Sequence, residues 1–231
     1  MTTTRNNLTV SIHIPKTAGT TVAEIFSRCF RRRVIFDYDG YSNPVAASEL
    51  VVKHAEFIER YFDVLHGHFY AKKYFNLFPD AAFIAALRHP VDRVISQFMH
   101  EYNERSDDAF YHKSIQNGEM DVVDFAGQPG VGDAMSLHLS GRPLNEYDLL
   151  LISEDLRTSM MIYSATINNL ELSTHFGLNI DLPRANEGVA RANSIEFDEK
   201  TRVAIFDRTQ SDNELYAEAV SLLHRKAKVC L

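Results

Sequence analysis

Six consecutive residues near the start of the chain have the types and the position of an anion-binding loop. They connect an apolar run at 8–14, which predicts a strand, to a segment at 20–30 whose apolar residues recur at helical spacing. They are Lys16, Thr17, Ala18, Gly19, Thr20 and Thr21. At such a junction, backbone N–H groups, the helix dipole, a lysine and several hydroxyls together favour a phosphate or sulfate. We therefore predict an anion site here; the alternative is that these side chains only cap the helix.

Two histidines separated by one glycine, His66 and His68, end a strand predicted at 62–69. On a strand, residues two apart project from the same face, so both rings would lie on one side of the sheet. A neutral imidazole accepts a proton near neutral pH, and the pair therefore suits general-base catalysis. Metal ligation and simple burial with backbone hydrogen bonds are the alternatives. Metal ligation is disfavoured, because no third His, Asp or Cys follows at a ligand spacing.

A further anion-binding pair, Arg88 and Ser96, follows the continuous apolar run at 81–87. Such a run is typical of a parallel strand buried on both faces, and a helix is predicted directly after it at 91–102. Arg88 would then stand at the carboxyl end of a strand, where open parallel sheets bind their ligands. An arginine fork and a serine hydroxyl suit a terminal phosphate monoester, which offers several acceptor oxygens.

The pattern of these elements predicts an α/β fold. Further strands are predicted at 34–36 and from 148, and a helix at 46–61. We expect a P-loop-containing three-layer fold, in which helices flank a central parallel sheet of four or five strands and the site lies at the carboxyl edge.

Composition narrows the class of protein. The 231 residues, 45% hydrophobic and 24% charged, predict a single domain over residues 1–231. The net charge of −7 argues against a protein whose whole surface binds nucleic acid or a polyanion.

Cys29 and Cys230 lie far apart and form neither a disulfide framework nor a metal motif. Because the sequence lacks a membrane-span run and an apolar signal core, we expect no membrane span and a cytoplasmic location.

Three motifs resemble those of sulfotransferases that use 3′-phosphoadenosine 5′-phosphosulfate (PAPS). Pro-Lys-Thr-Ala-Gly-Thr-Thr at 15–21 resembles the family's 5′-phosphosulfate loop, and Arg-His-Pro-Val-Asp-Arg-Val-Ile-Ser at 88–96 resembles its 3′-phosphate motif. Leu-His-Gly-His-Phe at 65–69 is similar to the His-Gly-His of the uronyl and heparan sulfate 2-O-sulfotransferases. The motifs stand in the family's order.

The resemblance implies transfer of a sulfuryl group from PAPS to a hydroxyl, which we expect to belong to a carbohydrate. His68 would act as the general base, and His66 would orient or polarise the same site. Lys16 and the loop amides would stabilise the leaving oxygen, while Arg88 and Ser96 would hold the 3′-phosphate of the donor. The products would be a sulfate ester and 3′-phosphoadenosine 5′-phosphate (PAP), and the scheme needs no metal.

Other segments match the family more loosely. A basic loop at 183–193 contains Arg184 and Arg191, which the resemblance directs toward the 3′-phosphate. Ser153 is a predicted cap at the junction between a strand and a helix. Arg93 is predicted to pair on the surface with Glu101 or Asp92. The segment 106–142 matches no pattern; we expect it to cover the acceptor cleft and to set the choice of acceptor.

Two other functions remain open. A phosphotransferase using ATP and magnesium is disfavoured, because Lys16 precedes the only loop glycine, Gly19, whereas the nucleotide triphosphate loop ends with its lysine. A nucleotide-binding module without catalysis is disfavoured by the presence of His66 and His68. The acceptor itself stays undetermined: a small glycan, a lipid-linked sugar and a metabolite are all compatible with the sequence.

Overall fold

A five-stranded, all-parallel sheet forms the centre of the fold, as predicted. The computed structural model describes residues 8–30, 33–38, 45–103, 111–167 and 197–230. In chain order its strands are β1 (Thr9–Ile12), β2 (Val34–Asp37), β3 (Val64–Gly67), β4 (Ala82–Leu87) and β5 (Leu149–Ile152). Their order across the sheet is β2-β3-β1-β4-β5, and every neighbouring pair is parallel.

Helices flank this sheet. They are α1 (Gly19–Phe30), α2 (Glu49–Lys53), α3 (Ala55–Tyr61), α4 (Pro90–Asn103), α5 (His112–Gln116), α6 (Val122–Ala126), α7 (Ala134–His138), α8 (Leu156–Thr166), α9 (Glu199–Arg208) and α10 (Gln210–Cys230). Short 3₁₀ turns occur at Ala71–Lys73, Leu144–Glu146 and Ser153–Asp155.

Burial differs between the two edges of the sheet. Every residue of β1, β3, β4 and β5 is buried, as expected for strands covered on both faces. By contrast, β2 lies at the edge of the sheet, and only Asp37 in it is buried. The inward face of α1, including Ile25 and Phe26, packs into the main core. Each such large apolar side chain contributes roughly 1.5–3 kcal/mol when it is fully buried.

The helix predicted at 46–61 is two short helices that meet at His54. The N–H of His54 still donates to the carbonyl of Leu50 (3.1 Å), but its backbone leaves the helical region with φ −110° and ψ 18°. Within α2 and α3 only Ile58 is buried. A continuous apolar face is therefore missing, and little packing holds this segment as one helix.

The connections of the sheet create a crevice between β1 and β4. From β1 the chain crosses through α1 toward β2 at one edge, whereas from β4 it continues toward β5 at the other. Adjacent strands whose connections leave in opposite directions form the usual ligand site of open α/β sheets. The predicted phosphosulfate loop follows β1, and the Arg88 motif follows β4, so both predicted anion sites border this crevice.

A second core lies beside the sheet and corrects the prediction for Arg93. This core joins α4, α5, α6 and α9 through residues such as Phe98, Phe125 and Ile205. Arg93 is fully buried on the inward face of α4, so the predicted surface pair with Glu101 or Asp92 is wrong. Its guanidinium donates to the Gln97 side chain (2.7 Å) and to the carbonyl of Val131. The sequence motif at 88–96 does not indicate in which direction Arg93 faces. In the structure it lies with Val94 among the buried residues of α4.

Candidate active site

The loop after β1 has a backbone suited to anion binding. Lys16 and Ala18 adopt left-handed conformations, with φ 67° and 71°, which are uncommon for residues with a side chain. The first backbone hydrogen bond of α1 joins the N–H of Val22 to the carbonyl of Ala18 (3.0 Å). The N–H groups of the first helical residues, Gly19 to Thr21, thus remain unused by the helix, and they carry the positive end of its dipole.

The three threonines of the loop differ in burial and in the hydrogen bonds of their hydroxyls. Thr17 is buried, and its hydroxyl donates to the carbonyl of Ile14 (2.9 Å), which closes the loop. Any contribution of Thr17 to an anion would therefore come mainly from its backbone N–H. Thr20 is exposed and Thr21 is buried at the start of α1.

Gly19 is required by His13, a neighbour that lies outside the predicted loop. A Cβ atom at this position would lie 1.7 Å from Cδ2 of His13. The imidazole of His13 therefore occupies the space beside the glycine, and no larger residue fits there without moving the loop or the ring. His13 is buried directly after β1 and contacts the loop that it precedes.

Two cations meet at the crevice. Nη1 of Arg88 donates to the backbone carbonyl of Lys16 (3.4 Å), which brings the β1 and β4 loops together. Burial lowers the pKa of Lys16, the Arg88 charge lowers it further, and Glu101 opposes both effects. Within the described ranges neither cation lies within ion-pair distance of a carboxylate. This positive charge, which Glu101 offsets only from beyond ion-pair distance, favours an anionic ligand.

Two further residues, Ser96 and Arg191, are predicted to contact the donor. Ser96 is half-buried on α4, in the helix that begins just after Arg88. Arg191, like Arg184, lies outside the described residues.

The hydrogen bond of His68 to the backbone determines its tautomer. Nδ1 of His68 lies 2.7 Å from the backbone carbonyl of His13. A carbonyl only accepts, so Nδ1 carries the proton and Nε2 keeps its lone pair. Burial lowers the pKa of His68, although the hydrogen bond to His13 opposes that shift. The ring is therefore a neutral proton acceptor at pH 7.

His66 is more deeply placed than His68. It is buried in β3, and its Nδ1 pairs with the hydroxyl of Ser11 on β1 (2.9 Å). Burial and, to a smaller extent, the adjacent His68 lower its pKa to about 3, against a hydrogen bond to the Gly19 backbone that opposes the shift. The ring is thus neutral over the whole physiological range.

The structure adds His13 and His138 to the two predicted histidines. The His13 ring stacks on His68 with centroids 4.0 Å apart and on His66 with centroids 5.1 Å apart. Burial, followed by the charges of the neighbouring histidines, lowers the pKa of His13 to about 2. His138, from α7, donates through Nδ1 to the carbonyl of Ala134 (2.7 Å), and burial lowers its pKa to about 4. Four neutral imidazoles therefore surround this edge.

These histidines do not form a metal centre. No group of three or more His, Cys, Asp or Glu side chains in the described part of the chain has an arrangement that would hold a metal ion. The rings of His13, His66 and His68 stack face to face instead of converging their nitrogens on one point.

Asp37, at the end of β2, anchors the segment that carries His68. Its backbone carbonyl accepts from the N–H of His68 (3.0 Å), and its carboxylate accepts from Lys73 (2.7 Å) and the Tyr74 hydroxyl (2.5 Å). Gly67 permits this approach, since a Cβ there would lie 1.7 Å from the Asp37 carbonyl oxygen. The predicted strand ends at residue 36, and the sequence pattern assigns Asp37 no role.

The predicted cap after β5 is wrong. The side chain of Asp155, not that of Ser153, accepts from the N–H of Thr158 (3.4 Å) at the start of α8. Ser153 instead donates its hydroxyl to Glu154 (3.1 Å). Glu154 in turn accepts from the backbone N–H of His89 (2.9 Å) and so supports the loop of Arg88.

Comparison with known proteins supports one family. A family model described as "Sulfotransferase family" matches residues 35–126, while no curated protein matches the chain significantly. The matched part contains His66, His68, Arg88 and Ser96 but begins after the loop of Lys16. None of the helices in the described ranges is long and apolar enough to cross a membrane. The family match supports sulfotransferases as the class of protein and sulfuryl transfer, in general terms, as the reaction.

Proposed function

We propose that this protein transfers a sulfuryl group from PAPS to a hydroxyl of a carbohydrate. The observation that carries this proposal is the meeting of two cations that have no ion-pair partner among the described residues, Lys16 and Arg88, with a neutral histidine on the same sheet edge. The anion site would hold the donor, and His68 would receive the proton of the acceptor. The match to the sulfotransferase family supports the same reaction independently of the loop that contains Lys16.

The donor would lie across the crevice between β1 and β4. Lys16 and the N–H groups from Thr17 to Thr21 would bind its 5′-phosphosulfate at the start of α1. Arg88 and Ser96 would bind its 3′-phosphate, and Arg191 is proposed as an additional contact. Fixing both ends of the donor would align the sulfur for in-line attack.

The chemical step is a direct displacement at sulfur. The acceptor oxygen forms a bond to sulfur while the bond from sulfur to the 5′-phosphate oxygen breaks, which releases PAP. Nε2 of His68 takes the acceptor proton, because the His13 carbonyl holds the proton of the ring on Nδ1. Lys16 and the loop amides stabilise the charge that develops on the leaving oxygen. The proposal assigns no step to a metal ion.

His66 is assigned a supporting role. It is buried in β3, its ring stacks on His13, and it is held by the Ser11 hydroxyl, so it orients and polarises the site and does not itself exchange protons with solvent. Its similarity in position to the first histidine of the 2-O-sulfotransferase motif supports this assignment. One domain over residues 1–231 and a cytoplasmic location stay predictions from the sequence.

The first experiment is a calorimetric titration of the protein with PAP and, separately, with ATP, each with and without magnesium. We expect tight binding of PAP that does not depend on the metal. Binding of ATP only in the presence of magnesium would instead overturn the proposal in favour of phosphoryl transfer. A protein that binds PAP but sulfates no member of a hydroxyl acceptor panel would support a module without catalysis.

A further inference from the structure

Two aromatic side chains form a wall beside the histidines. The rings of Phe36 and Tyr38 stack with centroids 5.9 Å apart and an interplanar angle of 9°. They are 45% and 40% exposed, respectively. The Tyr38 ring contacts the edges of His68 (5.1 Å between centroids) and His13 (5.8 Å). We call these two side chains the aromatic wall.

Strand register explains why the wall adjoins the candidate base. Phe36 of β2 pairs with His66 of β3, and His66 pairs with Ser11 of β1. Paired residues of parallel strands project to the same side, and so do residues two positions further along each chain. Tyr38, His68 and His13 therefore form the next row on this face, beyond Phe36 and His66. The wall and the proposed base share one continuous surface.

The wall differs from isolated exposed apolar residues. Single exposed aromatics are common and need no ligand, but here two parallel rings stand at the carboxyl edge of a parallel sheet, where ligands bind. Pyranose rings expose faces of C–H groups that pack well on aromatic rings. A flat, partly exposed aromatic surface next to a proton acceptor thus suits a ring that carries hydroxyl groups.

The charges next to the wall favour a neutral ligand. Lys73 is buried and pairs with Asp37 (2.7 Å), and Arg33, just before β2, pairs with Asp63 (2.6 Å). Lys72 lies over the ring of Tyr70 (5.7 Å). Lys72 is exposed and has no carboxylate partner among the described residues, so one positive charge remains on this side. An anionic sugar would find weaker attraction here than at the donor site, where Lys16 and Arg88 lie together.

We propose that the aromatic wall is the acceptor subsite and that it binds the apolar face of a neutral pyranose ring, with one hydroxyl directed at Nε2 of His68. This inference rests on the proposed function and names the acceptor class for it. An acidic polysaccharide is the competing acceptor, and the experiment below discriminates between the two.

The absence of tryptophan from the chain gives a direct assay. Phe36→Trp introduces a single tryptophan into a protein that has none. Its fluorescence is titrated with neutral methyl pyranosides of glucose, galactose and mannose, and with methyl glucuronide, each in the presence and absence of PAP. We expect a saturable change with at least one neutral pyranoside and weaker binding of the glucuronide. Adding Tyr38→Ala should weaken that binding roughly 3- to 10-fold, whereas Tyr38→Phe should preserve it.

A matched control is available on α3. Phe57 and Tyr61 form another exposed aromatic pair, with centroids 4.7 Å apart, and Phe57 is 53% exposed. Phe57→Trp should show no saturable response to the same sugars. Equal responses at both positions, no response at Phe36→Trp, or tighter binding of the glucuronide would each overturn the inference. PAP affinity, measured by calorimetry on the same variants, reports the donor site separately, so that failure of the subsite and failure of the proposed function give different results.

Discussion

Two regions of this protein hold positive charge partly or fully away from solvent, and they treat it in opposite ways. At the carboxyl edge of β1 and β4, Lys16 and Arg88 lie together without a carboxylate partner among the described residues. Between α4, α7 and α10, Arg93 is fully buried, but its two terminal nitrogens donate to protein oxygens. The first arrangement leaves charge available for a ligand, whereas the second uses it within the protein.

The second region also contains a buried carboxyl group, that of Asp212. Asp212 of α10 is fully buried, and it accepts from the N–H groups of Met135 (3.0 Å) and Ser136 (2.8 Å) at α7. Burial raises the pKa of Asp212, and the bonds to Ser136 and Met135 and the charge of Arg93 oppose that shift. A buried charge with neighbours of this kind is structural, and the comparison indicates that charge without them marks the ligand site.

The largest effect should come from the proposed base. His68→Ala removes the proton acceptor, so we expect turnover with PAPS and an active acceptor to fall by about 10²–10⁴. The affinity for PAP, measured by calorimetry, should stay unchanged, because His68 is assigned no contact with the donor. Near-normal turnover would remove His68 from this role and direct attention to His13 or His138.

Arg93→Met should mainly affect stability. It removes the buried hydrogen bonds to Gln97 and to the Val131 carbonyl and the positive charge near Asp212, and each buried acceptor left without its donor costs about 1–3 kcal/mol of unfolding free energy. Urea denaturation measures this loss. The control is Arg202→Ala, which breaks the more exposed pair with Asp92 (2.7 Å) and should cost no more than about 1 kcal/mol. Equal losses in the two variants would contradict the structural role of Arg93.

Arg88→Ala should weaken ligand binding and leave stability largely intact, which is the reverse of the expectation for Arg93→Met. Loss of a charge-assisted contact to phosphate should weaken PAP binding roughly 10- to 100-fold. Stability should stay the same or rise, because the repulsion between Arg88 and Lys16 is removed. Lys16→Ala should behave similarly. If either variant lost stability but kept PAP affinity, the difference between the two regions would disappear.

The main elements of the fold were predictable from local pattern. The apolar runs gave all five strands and their parallel arrangement, and helical periodicity gave α1 and α4 within one or two residues of their observed ends. The single helix predicted at 46–61 is two short helices in the structure. Local sequence pattern does not reveal that, of all residues in α2 and α3, only Ile58 is buried in the core.

The neighbours of the site were not predictable. The row of Tyr38, His68 and His13 depends on the register of three strands that are distant in sequence, and a single sequence carries no signal for that register. His138 reaches the site from α7, in a segment that matched no pattern. For Arg93, the motif indicated the residue but not the direction in which it faces.

The pH dependence of stability should separate the two regions by sign. Burial holds the folded pKa of His66 near 3 and that of His138 near 4, below the ordinary value of 6.5. Below pH 6.5 the unfolded chain therefore binds protons that the folded protein does not. These histidines should lower stability as pH falls from 6.5 toward 4, by roughly 2–4 °C in Tm for each kcal/mol lost.

Asp212 should act in the opposite direction. Its pKa is raised above 3.8 in the folded protein, so the folded state binds its proton first, and stability gains as pH falls through that raised pKa. Thermal unfolding from pH 7 to pH 4 measures the sum. We expect a net loss of stability, because several buried histidines oppose one carboxyl group. His138→Gln should reduce the slope and Asp212→Asn should steepen it; slopes that do not change in either variant would assign the pH dependence to other groups.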